Sequence, residues 1–258
     1  MARFYHPHDT LPDWDGYGGY LDLLDREPPS VNIGVLVGHG NLRLETVGGD
    51  PRAPDPGELE GMRAILREGL DAGALGFSSG LIYEPSRYAE LGELVALAEV
   101  MAPVGGIYAT DMRNEADHLL EAVEEAIAVG ERGGVPVQIS HHKAAGENNW
   151  GRVRESLAMI DEARARGVDV RVDQYPYTAS STILAAIVGG RTLEPGGRTG
   201  LGAVTGDRVV VASAPGHPGW EGRPIAAFAE EWGCADQAAA ERGPRRGAPR
   251  HRRGAQPR

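Results

Sequence analysis

Cysteine and long apolar runs are scarce in this 258-residue sequence, and so are the usual nucleotide-binding glycine motifs. A single cysteine, Cys234, excludes an internal disulfide framework and is typical of a protein from a reducing, cytoplasmic compartment. No apolar run reaches the roughly 18–20 residues of a membrane span, and the first residues lack the apolar stretch of a signal peptide. No G-x-G-x-x-G follows the first predicted strand, which disfavours a dinucleotide-binding enzyme. We therefore expect a cytoplasmic protein.

Acidic residues outnumber basic ones 37 to 26, and the excess lies in the main body of the chain. Residues 242–258 contain seven arginines and no acidic residue, which leaves 19 basic against 37 acidic residues over 1–241. A net charge of −18 on this body disfavours nucleic-acid binding by electrostatic repulsion. The basic tail has no apolar periodicity, and we expect it to be disordered.

Short apolar runs alternate with longer amphipathic ones between residues 31 and 182. The short runs predict strands, and apolar residues at three- and four-residue spacing predict helices between them. Successive strand-helix units build a parallel sheet. The predicted strands cover 31–37, 74–78, 106–110, 135–140 and 168–172, and the predicted helices cover 58–72, 88–102, 116–130 and 153–166.

Polar residues able to do chemistry follow these predicted strands, at the ends that open on one face of a parallel barrel. They include His39 and the stretches 78–83, 111–115, 141–143 and 173–177. This pattern favours a partial (β/α)8 TIM-type barrel, missing its first and last strands, over an open doubly wound sheet. The predicted domains are an N-terminal lead-in segment (1–30), the partial barrel (31–184), a poorly defined α/β region (185–241) and the basic tail (242–258).

The word SHHK at 140–143 is the most informative short stretch. Because side chains alternate along a strand, His141 and Lys143 should share one face with Val137 and Ile139. If that face lines a barrel, a neutral His141 can bind zinc and Lys143 can hold an anionic group of a substrate. The alternative is a histidine pair that is only hydrogen-bonded packing.

Asp111 ends the preceding predicted strand and offers a second candidate metal ligand. Its carboxylate can ligate a metal or pair with Arg113 on the same face, and the local sequence favours the pair. His6 and His8 also have the spacing of a metal site, but no apolar strand precedes them, so we interpret them as part of a loop.

Several words occur in a fixed order over residues 14–184, about two thirds of the chain. They are VN (31–32), VGHG (37–40), GALGFSSGLIY (73–83), GGIYAT (105–110) with MRNE (112–115), PVQISHHK (136–143) and DQYPYTASST (173–182). Several long words in register are more specific than any single motif. Together they resemble the D-aminoacylase (N-acyl-D-amino-acid deacylase) family of the amidohydrolase superfamily.

The resemblance implies a barrel of the metal-dependent hydrolase kind and zinc-assisted hydrolysis of the amide bond of an N-acyl-D-amino acid. His141 matches a zinc-ligating histidine of the family. Asp111 stands where the family has another such histidine, and its carboxylate can bind zinc with a shorter reach. The implied substrate-binding residues are Lys143, Tyr83, Tyr175 and Ser181.

Other elements of the family have no match in the sequence. These are the H-x-H of the first barrel strand, the cysteine ligand of the second and the catalytic aspartate of the last, so no general base is identified. We therefore expect a metal-dependent hydrolase of linear amide bonds, of the N-acyl-D-amino-acid deacylase type, that is truncated and weakly active or inactive. Its expected partner is a small N-acyl-D-amino acid. We expect no nucleic-acid partner for the acidic body and no membrane partner.

Two other interpretations stay open. A non-catalytic amidohydrolase remnant would act as an interaction module and self-associate through unpaired barrel edges. The word His142-Lys143 also occurs at the pyridoxal-phosphate lysine of decarboxylases, but such an enzyme needs a larger chain and an upstream aspartate partner, neither of which is evident.

Overall fold

The computed structural model describes residues 14–189, 193–194, 200–202 and 204–247, and they form two compact units. The first unit comprises residues 14–112, 124–140 and 159–173. The second comprises 113–123, 141–158 and the described residues from 174 onward.

The first unit is built on a five-stranded parallel sheet whose strands follow chain order. Each strand pairs with the next, for example Val37 with Phe77 and Tyr108 with Val137. This order is that of a βα barrel wall, and the predicted parallel sheet is confirmed. The strands are β1 (Val37–Gly38), β2 (Gly76–Gly80), β3 (Ile107–Asp111), β4 (Val137–Ile139) and β5 (Val170–Val172).

Helices separate the strands and continue beyond them. The predicted helices correspond to α3–α6, with ends that differ by a few residues. Among the described residues, none of the helices is long and apolar enough to cross a bilayer. The helices are α1 (Gly16–Arg26), α2 (His39–Thr46), α3 (Pro56–Asp71), α4 (Leu91–Met101), α5 (Leu119–Gly133), α6 (Val153–Ala165), α7 (Leu184–Gly189), α8 (Ile225–Trp232) and α9 (Asp236–Gly247).

The segment around β1 differs from the sequence prediction. The strand predicted over 31–37 begins only at Val37, and α2 starts two residues later, where no helix was expected. Helix α2 buries His39, Leu42 and Arg43. Because two of these three side chains are polar, the apolar spacing that indicates a helix is hidden in the sequence.

The two faces of the sheet have different environments. One face is buried: the rings of Phe77 and Tyr108 stack with centroids 4.7 Å apart, and Val137 continues the layer. Helix α5 packs closely here, because a Cβ on Gly130 would lie only 2.4 Å from Val137 Cγ2. The opposite face carries partly or largely exposed side chains, namely Ser78, Ala109, Asp111, Gln138 and Arg171.

The second unit has a hydrophobic core of its own. Phe228 of α8 and Ala240 of α9 lie at its centre, and Trp220 and Trp232 pack against it with ring centroids 5.9 Å apart. Helix α9 continues to Gly247, so it includes the first six residues of the tail predicted to be disordered. The remaining tail, 248–258, lies outside the described residues.

Candidate functional site

Two of the predicted site residues meet at the carboxyl ends of β2 and β3. Gly80 pairs with Asp111 in the sheet, and the Leu81 N–H donates a hydrogen bond to the Asp111 carbonyl (3.0 Å). A Cβ on Gly80 would lie 2.9 Å from the Tyr83 ring and 3.8 Å from Asp111 Oδ2. The Tyr83 ring and the Asp111 carboxylate therefore both lie beside Gly80, and a side chain there would meet the ring.

Three further predicted site residues meet in the second unit, around a residue that had no predicted role. Glu115 Oε2 lies 2.7 Å from Lys143 Nζ, and Glu115 Oε1 lies 3.1 Å from His141 Nδ1. The Lys143 ammonium lies 5.4 Å from the centroid of the Tyr175 ring, a cation–π arrangement. We call Glu115, His141, Lys143 and Tyr175 the Glu115 cluster.

The Glu115 cluster is half open to solvent. The Glu115 side chain is 2% exposed, whereas Lys143 is 19% and His141 31% exposed. The carboxylate is therefore a buried anchor, and its two partners reach the surface. Such an arrangement can present an imidazole and an ammonium to a small ligand.

The backbone, and not strand alternation, directs His141. Strand β4 ends at Ile139, and His141 lies in a turn with φ +39°, in the left-handed region. Ile139 lies on the buried face, paired with Thr110. The prediction that His141 and Lys143 continue the β4 face is wrong, because the turn takes both residues out of the strand.

Lys143 is the only lysine in the sequence, where all 25 other basic residues are arginines. Besides Glu115, its ammonium contacts the carbonyl oxygen of His141 (3.0 Å) and the imidazole Nδ1 (3.1 Å). The Lys143 side chain is therefore held in place by the Glu115 carboxylate and the His141 carbonyl oxygen.

Tyr177 extends the aromatic surface of the Glu115 cluster. Its ring stacks on Tyr175 with centroids 6.5 Å apart, and its side chain is 73% exposed.

The remaining predicted substrate residue, Ser181, lies outside the Glu115 cluster. Ser181 follows in an exposed, irregular segment and takes no part in the hydrogen bonds of the Glu115 cluster within the described chain.

His142 is buried and serves packing. Its Nε2 lies 2.9 Å from the Ser156 hydroxyl, which donates its own proton to the Val153 carbonyl (3.1 Å). Burial lowers the pKa of His142, the positive charge of Lys143 lowers it further, and the charge of Glu115 opposes this shift. The packing alternative for the histidine pair thus describes His142.

His39 does not open on the expected site. It is fully buried in the first unit, with Nε2 2.8 Å from Glu93 Oε1 and Nδ1 3.0 Å from the Ser86 hydroxyl. Arg43 donates two hydrogen bonds to the same carboxylate, at 2.9 and 2.7 Å. We call His39, Arg43, Ser86 and Glu93 the His39 cluster. The prediction that His39 lies on the open face at a strand end is wrong, because His39 begins α2 and its side chain is buried in the core.

The described residues do not form a complete zinc site by themselves. Such a site needs at least three protein ligands within reach of one ion. Across the described ranges, no group of three or more His, Cys, Asp or Glu side chains is placed to hold a metal. His141 and Asp111 belong to different units, and His6 and His8 lie outside the described residues.

Glu115 lies in the polar stretch 111–115 that follows a predicted strand and ends the word MRNE (112–115), but no individual role was predicted for it. The available signal was an acid four residues beyond Asp111, in a word that also follows a strand. The sequence does not show that Glu115 contacts His141 and Lys143, because they lie 26 and 28 residues later in the chain.

Comparisons with known proteins place these features in context. No protein-family model matches the chain. An N-acyl-D-glutamate deacylase of Alcaligenes xylosoxydans xylosoxydans is 39% identical over 223 residues, covering 86% of this chain and 43% of the relative. A D-aminoacylase of the same organism is 40% identical over 195 residues, covering 72% of this chain and 40% of the relative.

A solved structure agrees with these relatives. The N-acyl-D-glutamate deacylase of Bordetella bronchiseptica, complexed with zinc and a phosphonate mimic of the tetrahedral intermediate, superposes with a TM-score of 0.78 at 39% identity. The match covers 92% of this chain and 47% of that one, so this chain spans less than half the length of the relatives it matches. Over most of its own length the chain is homologous to the D-aminoacylase family of the amidohydrolase superfamily, as the sequence resemblance implied.

Proposed function

We propose that this chain carries part of the active site of a hydrolase that cleaves the amide bond of N-acyl-D-amino acids. The observation that carries the proposal is the Glu115 cluster, where a half-exposed imidazole and the only lysine stand within a region 39% identical to a deacylase. The products would be a carboxylate and a free D-amino acid. The single cysteine supports a cytoplasmic location.

The proposed substrate contacts follow from charge and shape. Lys143 attracts the substrate carboxylate, and Tyr175 supplies an aromatic wall beside that ammonium. Tyr83 at the end of β2 and the exposed Ser181 complete the proposed substrate set. Because Glu115 neutralises much of the Lys143 charge, we expect the substrate carboxylate to bind weakly unless further donors join it.

His141 and Asp111 are the proposed metal ligands. In the related deacylase the ion is zinc, which acts as a Lewis acid when bound. Since the described residues bring no third ligand into reach, we propose that this chain alone holds zinc weakly and hydrolyses substrate slowly.

A second candidate is an interaction module. Within the described chain, β1 and β5 are the edges of the sheet, and on one face Gln138 is partly exposed and Arg171 largely exposed. Exposed strand edges favour pairing with another chain. Size-exclusion chromatography with light scattering separates the two candidates: a monomer favours the deacylase proposal, and a stable oligomer that binds no substrate favours the module.

The deacylase proposal is tested by substrate binding and turnover on the full chain. With 15N-labelled lysine, the single Nζ signal should shift on titration with N-acetyl-D-glutamate and respond much less to the L enantiomer. Added zinc should then raise the release of D-glutamate above the metal-free rate. If neither enantiomer shifts the signal and no D-glutamate forms with zinc, the proposal is refuted.

The metal part is tested by Asp111→His, with Asp173→His as the matched control on another strand end. A histidine at 111 restores the residue type that the resemblance implies, so zinc affinity should rise about tenfold or more, as measured by dialysis and metal analysis. An equal affinity in both variants would remove Asp111 from the proposed ligand set.

A further inference from the structure

The 81–90 segment between β2 and α4 carries Tyr83, one of the proposed substrate residues. It contains one turn of 3-10 helix, Ser86–Tyr88, and is otherwise made of turns and bends. It leaves β2 beside β3, because the Leu81 N–H donates to the Asp111 carbonyl (3.0 Å). An irregular segment has few backbone hydrogen bonds to fix it, so the position of its side chains depends on individual contacts.

Tyr83 and Ser86 belong to one hydrogen-bonded turn of this segment. The Arg87 N–H donates to the Tyr83 carbonyl (2.8 Å), and the Tyr83 N–H donates to the Gly80 carbonyl at the end of β2 (3.0 Å). Ser86 lies inside the first of these two hydrogen-bonded loops and is buried. A contact that fixes Ser86 therefore also limits where the backbone of Tyr83 can lie.

His39 contacts this turn from the first residue of α2. Its Nδ1 lies 3.0 Å from the Ser86 hydroxyl. The neighbouring Gly40 allows the close approach, because a Cβ there would lie only 3.3 Å from Ser86 Oγ. Since both His39 and Ser86 are buried, water does not compete with this contact. The turn that carries Tyr83 is thus joined to α2 through a side chain that belongs to neither the strand nor the turn.

The other nitrogen of the same ring joins His39 to the start of α4. Nε2 lies 2.8 Å from Oε1 of Glu93, which is in the first turn of that helix. A carboxylate only accepts hydrogen bonds, so Nε2 donates to it. Arg43, one turn further along α2, donates to both oxygens of the carboxylate (2.9 and 2.7 Å) and fixes it in turn. His39 therefore contacts both the turn at Ser86 and the helix that follows.

Contacts of this kind select one arrangement more than they add stability. Replacing a buried ion pair by apolar side chains of similar volume often leaves stability unchanged. Hydrogen bonds between buried side chains, in contrast, restrict a core to one geometry. The buried His39 cluster meets no ligand itself, so any effect on a ligand passes through the position of the 81–90 segment.

We propose that His39 is a positioning residue for Tyr83. Through Ser86 it holds the turn that carries the tyrosine, and through Glu93 it holds the helix that follows, so the ring stays at the end of β2. The role of Tyr83 as a substrate contact rests on the proposed function, which the contact with His39 deepens.

The position of the Tyr83 ring is read by 19F NMR of the full chain, with 3-fluorotyrosine in place of its eight tyrosines. The Tyr83 signal is the one lost in Tyr83→Phe. Ser86→Ala removes the hydroxyl and no aromatic ring, so it adds no ring-current change of its own. We expect it to shift or split the Tyr83 signal, because the turn loses its contact with His39. An unchanged Tyr83 signal would overturn the inference.

A second pair of variants assigns the effect to His39. In His39→Leu the Ser86 hydroxyl has already lost its partner, so adding Ser86→Ala should change the Tyr83 signal much less than it does in the unmodified chain. A change of the same size in both backgrounds would mean that the serine acts on Tyr83 without His39, and the inference would fail.

Ser156→Ala is the matched control. Ser156 is a fully buried serine of the other unit, and its hydroxyl lies 2.9 Å from Nε2 of His142. The variant removes the same kind of buried hydrogen bond, so it should lower the midpoint of urea unfolding as Ser86→Ala does and leave the Tyr83 signal in place. Equal changes of that signal in both variants would indicate a general loosening of the fold and contradict a positioning role.

Ligand binding separates this inference from the proposed function. Ser86→Ala should weaken the binding of N-acetyl-D-glutamate about fivefold, as measured by calorimetry, because the Tyr83 ring is no longer pre-positioned. If the unmodified chain binds no N-acetyl-D-glutamate, the proposed function is refuted, and the 19F signals still decide whether His39 positions Tyr83. A shifted Tyr83 signal with unchanged affinity would uphold the positioning and remove Tyr83 from the proposed substrate set.

Discussion

Two clusters in this chain each join a histidine, a glutamate and a basic residue, and they differ in burial. The His39 cluster joins a histidine, a glutamate and an arginine, with histidine and arginine side chains at 0% exposure. The Glu115 cluster joins a histidine, a glutamate and a lysine, whose histidine and lysine side chains are 31% and 19% exposed. A buried cluster of polar side chains can only stabilise the fold, whereas a partly exposed cluster can also bind a ligand.

The sealed cluster also shows why a chemical pattern is not a site. Ser86, His39 and Glu93 are joined by hydrogen bonds in the order of a serine-hydrolase relay. Ser86 is only 4% exposed and the carboxylate is shared with Arg43, so no substrate reaches the hydroxyl. The word GFSSG likewise has the spacing of a nucleophile elbow, yet all of it lies within β2 and not at a strand-to-helix turn.

The largest effect is expected from Glu93→Gln in the sealed cluster. The change leaves the Arg43 guanidinium buried without its counter-charge, which should lower the free energy of unfolding by about 3–5 kcal/mol. Urea unfolding followed by tryptophan fluorescence measures this loss. Glu60→Gln, at an exposed pair with Arg67, is the control and should leave the midpoint unchanged; equal losses in both variants would contradict the distinction by burial.

A smaller effect is expected from Lys143→Met in the half-open cluster. The buried Glu115 carboxylate loses its ammonium partner but keeps His141, and water reaches the site, so we expect a loss of roughly 2 kcal/mol in the same assay. Adding Glu115→Gln removes the stranded charge and should recover part of that loss. A double variant that is worse than the sum of the single ones would show that the pair is not coupled as described.

Ser86→Ala should cost about 1 kcal/mol of unfolding free energy. The variant leaves His39 Nδ1, which has no exposure to water, without its hydroxyl partner. Ser181→Ala changes an exposed hydroxyl and should leave the urea midpoint in place. If both serine variants behave alike, the His39 cluster is not sealed as described.

The smallest effect is expected from pH at His142. Its folded-state pKa lies below the ordinary 6.5, so the unfolded chain takes up a proton there more readily than the native one. The contribution of neutral His142 is present above pH 6.5 and is lost as the pH falls through the lowered value. The difference between the urea midpoints at pH 7.5 and pH 5.5 should be smaller in His142→Gln than in the unmodified chain. An identical difference in both would contradict the lowered pKa of His142.

The strand-helix repeat could be predicted because its signal is local. The apolar runs around Tyr108, Val137 and Val170 and the amphipathic helices between them require only neighbouring residues to be recognised. Helix α2 could not be predicted in this way. It buries Arg43, whose charge is compensated by Glu93, 50 residues later in the chain.

The proposed site residues stay a prediction, and the strand pattern did not predict their geometry. Register pairs Ala109 with Gln138, so the face of Asp111 is the face of Gln138 and not that of Ile139. An ideal extension of both strands would therefore separate Asp111 and His141 on opposite faces. Only the left-handed backbone at His141 releases it from this alternation, and no local pattern announces such a turn.

The sequence by itself determined the parallel sheet, the helices α3–α6 and the resemblance to the deacylases, since all of these depend on order along the chain. Tertiary structure alone decided which histidine is sealed and which is half open. It also decided that Glu115 stands between His141 and Lys143. Burial and hydrogen-bond partnership depend on contacts between distant residues, and these exist only once the chain has folded.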